Sequence, residues 1–151
     1  MIDSNKAILL VEDNPDDAKM TLRALQRNHV VNTIIEVRDG VEALDILFAR
    51  GTHTDRSGAP MPVLVILDLN LPKLDGLGVL KAMRADPRTK LIPVVILTSS
   101  KEQEDLVAGY SLGANSYVRK PVEFAQFAEA VRVLGVYWLL LNQGPPDRAG
   151  P

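Results

Sequence analysis

The chain contains no cysteine. That excludes disulfides, a thiolate-held metal and a cysteine nucleophile, and it suits the cytoplasm, where thiols stay reduced. Aromatic residues make up 5% of the chain and there are 2 histidines. His29 and His53 sit in polar, loop-like contexts, so neither is assigned a phosphorelay or metal role. No sign of charge dominates: 17 Lys and Arg stand against 19 Asp and Glu, a net charge of −2. Such a balance argues against broad electrostatic binding to nucleic acid. Long apolar runs are also missing. The longest, Val136 to Leu141, or Val133 to Leu141 if Gly135 is allowed, falls well short of the roughly 20 residues that span a bilayer. The opening Met1-Ile2-Asp3-Ser4-Asn5-Lys6 is polar and carries an acid, so no secretory leader and no membrane association are expected.

What is present is an ordinary globular composition, 46% hydrophobic and 24% charged over 151 residues. That length suggests one domain, with few residues left for a second, effector module. Five short apolar runs recur: 7–11, 33–37, 63–67, 93–97 and the short Ser116-Tyr117-Val118. The first, third and fourth are apolar on both faces, as central strands of a covered parallel sheet should be. Between them, residues 16–27, 39–48, 77–84 and 102–112 have helical spacing, as does the stretch from Phe124 onward. Asp86-Pro87 should stop the third helix and Gly113 should end the fourth. Residues 50–62, punctuated by Gly51, Gly58, Pro60 and Pro62, read as a surface loop. The alternation predicts an α/β fold, a doubly wound five-stranded parallel sheet with helices on both faces.

In such sheets the site lies beyond the carboxyl ends of the strands. Those ends carry Glu12-Asp13, Asp68, Thr98 and Arg119-Lys120-Pro121. Three neighbouring carboxylates cannot all stay ionised without compensation, and a hard divalent cation is the usual remedy. Mg²⁺ takes one or two carboxylates plus a phosphate and keeps several waters. Lys120 would supply a compact positive charge for phosphoryl oxygens. This is equipment for phosphoryl transfer to a carboxylate.

These stretches resemble the receiver domains of two-component response regulators. The resemblance rests on Val11-Glu12-Asp13-Asn14, residues 67–76 (LDLNLPKLDG), Leu97-Thr98-Ser99-Ser100 and residues 113–121 (GANSYVRKP), in family order and spacing. It implies a flavodoxin-like sheet of strand order 2-1-3-4-5. It also implies that Asp68 accepts a phosphoryl group from the histidine of a sensor kinase. Asp13 and Asp68 would ligate Mg²⁺, with Glu12 acting nearby, commonly through water, and Asn70 offering its backbone carbonyl. Lys120 would pair with phosphoryl oxygens and Thr98 would hydrogen-bond them. Thr98 and Tyr117 would act as the switch, and the peptide before Pro121 would be cis. The family reading makes the chain a phosphoacceptor rather than an enzyme. Its output is expected through protein contacts on the face of the fourth helix, fifth strand and fifth helix.

The receiver is expected over residues 6–134, with 135–151 as an interface segment ending in a frayed tail. Val133 to Leu141 is apolar around the whole helix, including Tyr137, Trp138, Leu139 and Leu140, which suggests a symmetric homodimer. That tail, Asn14-Pro15 and the long loop 50–62 resemble the stand-alone regulators paired with phytochrome kinases, which implies a light-signalling phosphorelay. Three alternatives stand beside this reading. A haloacid dehalogenase-like phosphatase also uses an aspartate nucleophile, but it carries a second acid two residues on, where Asn70 stands here. A flavodoxin-like binding module would need a glycine-rich loop after the first strand. A receiver-like scaffold would not need the full residue set.

Overall fold

The computed structural model describes residues 7–27, 32–56, 61–98, 108, 110–114 and 116–119. Lys120, Pro121, Tyr137, Trp138, Leu139 and Leu140 lie outside the described residues, as does the fifth helix expected from Phe124 onward. Thr98 and Tyr117 are described by their backbones alone.

Among the described residues five strands form one parallel sheet: β1 (Ala7–Val11), β2 (Thr33–Val37), β3 (Leu64–Leu67), β4 (Val94–Thr98) and β5 (Ser116–Arg119). Their order is β2-β1-β3-β4-β5, as the resemblance implies. Every residue of β1 and β3 is buried. Side chains alternate between faces along a strand, so the sheet divides its apolar residues into two cores. Ile8, Leu10, Leu64, Ile66, Val95 and Leu97 pack with Ala18, Ala24 and Leu25 of α1 (Pro15–Arg27). Leu9, Val11, Val65, Leu67 and Ile96 pack on the other face with α2 (Gly40–Leu47) and α3 (Gly76–Ala85). The edge strand β2 is less covered, with Thr33 and Glu36 exposed.

Local chemistry explains where the helices start. Asn14 Oδ1 accepts from the N–H groups of Asp16 (2.9 Å) and Asp17 (3.1 Å). Pro15 opens the helix where a missing N–H costs nothing, and two acids sit in the positive first turn. Asp39 and Asp75 cap α2 and α3 by accepting from Glu42 N–H and Gly78 N–H, each at 2.8 Å. Helix α3 ends at Ala85 with Asp86 as its cap, one residue before Pro87. Gly113 follows the end of the next helical segment in the left-handed region, with φ +94°.

Two expectations shift. Helical spacing over 39–48 groups Val41 with Leu44, Leu47 and Phe48, but Val41 is 42% exposed. The buried positions are Gly40, Ala43, Leu44, Ile46 and Leu47. At about 100° per residue Val41 lies roughly a third of a turn from that face. The stretch 50–62 is not uniformly surface loop. Its start folds as a 3₁₀ segment (Gly51–Arg56), and Met61 and Pro62 are buried at its end, Met61 within the core.

Candidate functional site

Strand geometry builds the site. Glu12 and Asp13 follow β1 directly, and Asp68 follows β3, its neighbour in the sheet. The register pairs Val11 with Leu67, so the residues after them emerge side by side. The backbone bonds continue past the strands: Asp68 N–H donates to Val11 O and Glu12 N–H to Val37 O, both at 3.0 Å. Carboxylate oxygens of Glu12, Asp13 and Asp68 all fall within 4.8 Å of one another. Glu12 and Asp68 are buried, 3% and 6% exposed, and Asp13 is exposed. The cluster therefore opens to solvent on the Asp13 side.

Two short loops aim the acids. Asn14 N–H donates to Glu12 Oε2 at 3.2 Å, and Asn70 N–H donates to Asp68 Oδ1 at 3.2 Å. The loop after Asp68 folds tightly on itself. Leu71 N–H donates to Leu69 O (3.1 Å), Leu74 N–H to Pro72 O (2.8 Å) and Gly76 N–H to Leu69 O (2.9 Å). Gly76 lies so close to the Asp68 carbonyl that a Cβ there would collide with that oxygen and stand 2.7 Å from Leu69 Cα. Glycine is required at this position because the first turn of α3 rests on the backbone of the buried acid. The pairing of an N-capping Asp75 with Gly76 is the sequence signal for it.

The donor set is all oxygen, held on short side chains and partly dehydrated. Three carboxylates so placed repel one another, and burial of two of them raises the cost. A hard, oxygen-seeking divalent cation fits this set in chemistry and charge. Thr98 ends β4, the strand next to β3, so its backbone reaches the same edge. Tyr117 pairs with Ile96 in the register of β4 and β5, and β5 carries the chain to Arg119. Glu12, Asp13, Asp68 and Asn70 are thus together, and the backbones of Thr98 and Arg119 are in register with each other at the end of β4 and β5.

A family model for the response regulator receiver domain matches residues 8–132, most of the chain. This chain belongs to the response regulator receiver domain family. The receiver is 41% identical over 138 residues to a probable methanogenesis regulatory protein, FilR2, of Methanothrix harundinacea, covering 91% of this chain and 86% of that one. Its fold matches the phosphorylated cyanobacterial phytochrome response regulator RcpA with a TM-score of 0.82 at 38% identity, over 93% of this chain and 99% of that one. The bacteriophytochrome response regulator AtBRR is 51% identical, with a TM-score of 0.74 over 91% of this chain and 98% of that one. The receiver is of the two-component response regulator type, with the acidic pocket of its family at the sheet's carboxyl edge. Among its described residues no helix is long and apolar enough to cross a membrane.

Proposed function

We propose that Asp68 is the phosphoacceptor of this receiver and that Glu12, Asp13, Asp68 and the Asn70 carbonyl hold Mg²⁺ beside it. The observation that carries this is the convergence of the three carboxylates within 4.8 Å where β1 and β3 end. A carboxylate oxygen of Asp68 attacks phosphorus of a phosphohistidine. The P–N bond breaks, its electron pair returns to the imidazole nitrogen, and an acyl phosphate forms. The bond from Asn70 N–H to Asp68 Oδ1 orients the carboxylate for that attack. Bound Mg²⁺ supplies neutralising charge for the carboxylates and the incoming phosphoryl oxygens. Lys120 would meet the same oxygens, and Thr98 would donate to them from the end of β4. Tyr117 would switch rotamer behind Thr98, with Lys120-Pro121 cis. Helix 4, strand 5 and helix 5 would form the face that reports the modification.

The partner we infer is a sensor histidine kinase of the phytochrome class, supported by the likeness to RcpA and AtBRR. A receiver served by the cytoplasmic part of such a kinase works in the cytoplasm. The receiver body would span 6–134, and 135–151 with Tyr137, Trp138, Leu139 and Leu140 would pair two copies. Asn70, an exposed amide where a haloacid dehalogenase needs its second acid, speaks against the phosphatase reading.

The deciding experiment is incubation with acetyl phosphate and Mg²⁺, read by intact mass within the first minutes. A phosphoryl adduct is expected on the native chain and none on Asp68→Asn. An equal adduct on both refutes Asp68 as acceptor.

A further inference from the structure

The loop that carries Asp68 is tied down at its far end as well as at its base. Lys73, near the tip of that loop, has φ +68°, a left-handed backbone that a lysine adopts only where its surroundings enforce it. It is the centre of the tight turn closed by the bond from Leu74 N–H to Pro72 O. Lys73 Nζ lies 3.5 Å from Asp39 Oδ2. Asp39 is mostly buried and already committed through Oδ1 to capping α2. One residue further on, the Leu74 carbonyl oxygen sits against Gly40 so closely that a Cβ on Gly40 would collide with it, and the Leu74 side chain packs on the core. The start of α2 and the tip of the phosphoacceptor loop are therefore joined by an ion pair and a backbone contact.

We propose that the Lys73–Asp39 pair is a positioning device for the acidic pocket. It holds the strained turn at Lys73 so that Asn70 and Asp68 keep the geometry that binds a divalent cation. Lys73 itself touches neither the carboxylates nor the phosphoryl group in this scheme. This inference rests on the reading of the pocket as a cation site.

Charge alone predicts something different, which makes the proposal testable. Lys73 is a cation near an acidic pocket, so through space its removal should tighten Mg²⁺ binding and removal of Asp39 should weaken it. Through the brace, both removals weaken it. Asp39→Ser keeps a side chain that caps α2 and loses only the partner of Lys73.

Mg²⁺ alone is titrated into the full chain, native and variant, and followed by the amide shift of Asn70. Lys73→Ala and Asp39→Ser are each expected to weaken Mg²⁺ binding about two- to five-fold, the scale of an exposed ion pair. The double variant is expected to show no further loss, and Lys73→Arg to bind as the native chain does. A Lys73→Ala effect that is absent, is reversed in sign, or is the same size in the Asp39→Ser background overturns the proposal while leaving the pocket reading intact. A native chain whose Asn70 amide does not respond to Mg²⁺ overturns both.

Discussion

At Asp68 of this receiver the proposed function and stability oppose each other. The residue is buried beside Glu12 and Asp13 with their carboxylates clustered, so in the absence of a cation the pocket is a source of repulsion. Asp68→Asn removes one charge and keeps the shape, so in EDTA the variant should melt at a higher temperature than the native chain, even though its labelling by acetyl phosphate is expected to be lost. Calorimetric scans of the two proteins in EDTA check this, and equal or reversed midpoints would contradict it. At Gly76 the two fall together. Gly76→Ala forces a Cβ against the Asp68 carbonyl, so it should cost about 1–3 kcal/mol in urea unfolding and slow labelling by acetyl phosphate. Thr89 has no such conflict. It is fully buried and its hydroxyl donates to Met83 O at 2.7 Å, so Thr89→Val should destabilise by about 1–2 kcal/mol and leave labelling unchanged.

At the scale of elements, one arginine joins three segments. Arg84, near the end of α3, donates through Nη1 to Lys90 O (2.9 Å) and Ile92 O (2.7 Å). Through Nε and Nη2 it donates to Gly113 O (3.2 and 2.8 Å). Partial burial lowers the guanidinium pKa, yet it stays charged at any ordinary pH. The fork fixes the approach to β4 and the turn into β5 relative to α3. Arg84→Met keeps the stem and loses these bonds, so about 2 kcal/mol of stability should go with it, measured by urea unfolding. Most of the elements were legible in the sequence because each carries redundant signals. In β1, β3 and β4 these are unbroken apolar runs, and in the helices they are Asn14-Pro15, Asp39, Asp75 and Asp86-Pro87. The carboxylate cluster was legible for a related reason: strand ends in a parallel sheet share an edge, so Glu12-Asp13 and Asp68 could be joined without coordinates. What was not legible depends on contacts between distant segments. Neither the left-handed turn at Lys73, nor its pairing with Asp39, nor the reach of Arg84 to Gly113 leaves any periodicity to read. Val41 shows the limit even of periodicity, because helical spacing names a stripe and only packing says which edge of it is covered.

For the whole molecule, cation binding and folding are linked. A ligand that binds only the folded state stabilises it by about 1.4 kcal/mol at ten times its dissociation constant. Mg²⁺ should therefore raise the melting temperature of the native receiver, and it should do so much less for Asp68→Asn. Association is a separate question, and the homodimer proposed above would rest on the apolar run from Val133 to Leu141. Light scattering at micromolar concentration is expected to report a dimer, and Trp138→Glu should shift it to a monomer; a native chain that is monomeric with and without phosphorylation would sink the dimer. The strand order also has a consequence for biosynthesis. Strand β1 lies between β2 and β3, so one of its two edges has no partner until Leu67 has been made. At about 5–20 residues per second that leaves the unpaired edge of an all-apolar strand open on the ribosome for seconds. Until β3 emerges the nascent chain carries that open edge, and codon choice between Val37 and Leu67 sets how long it lasts.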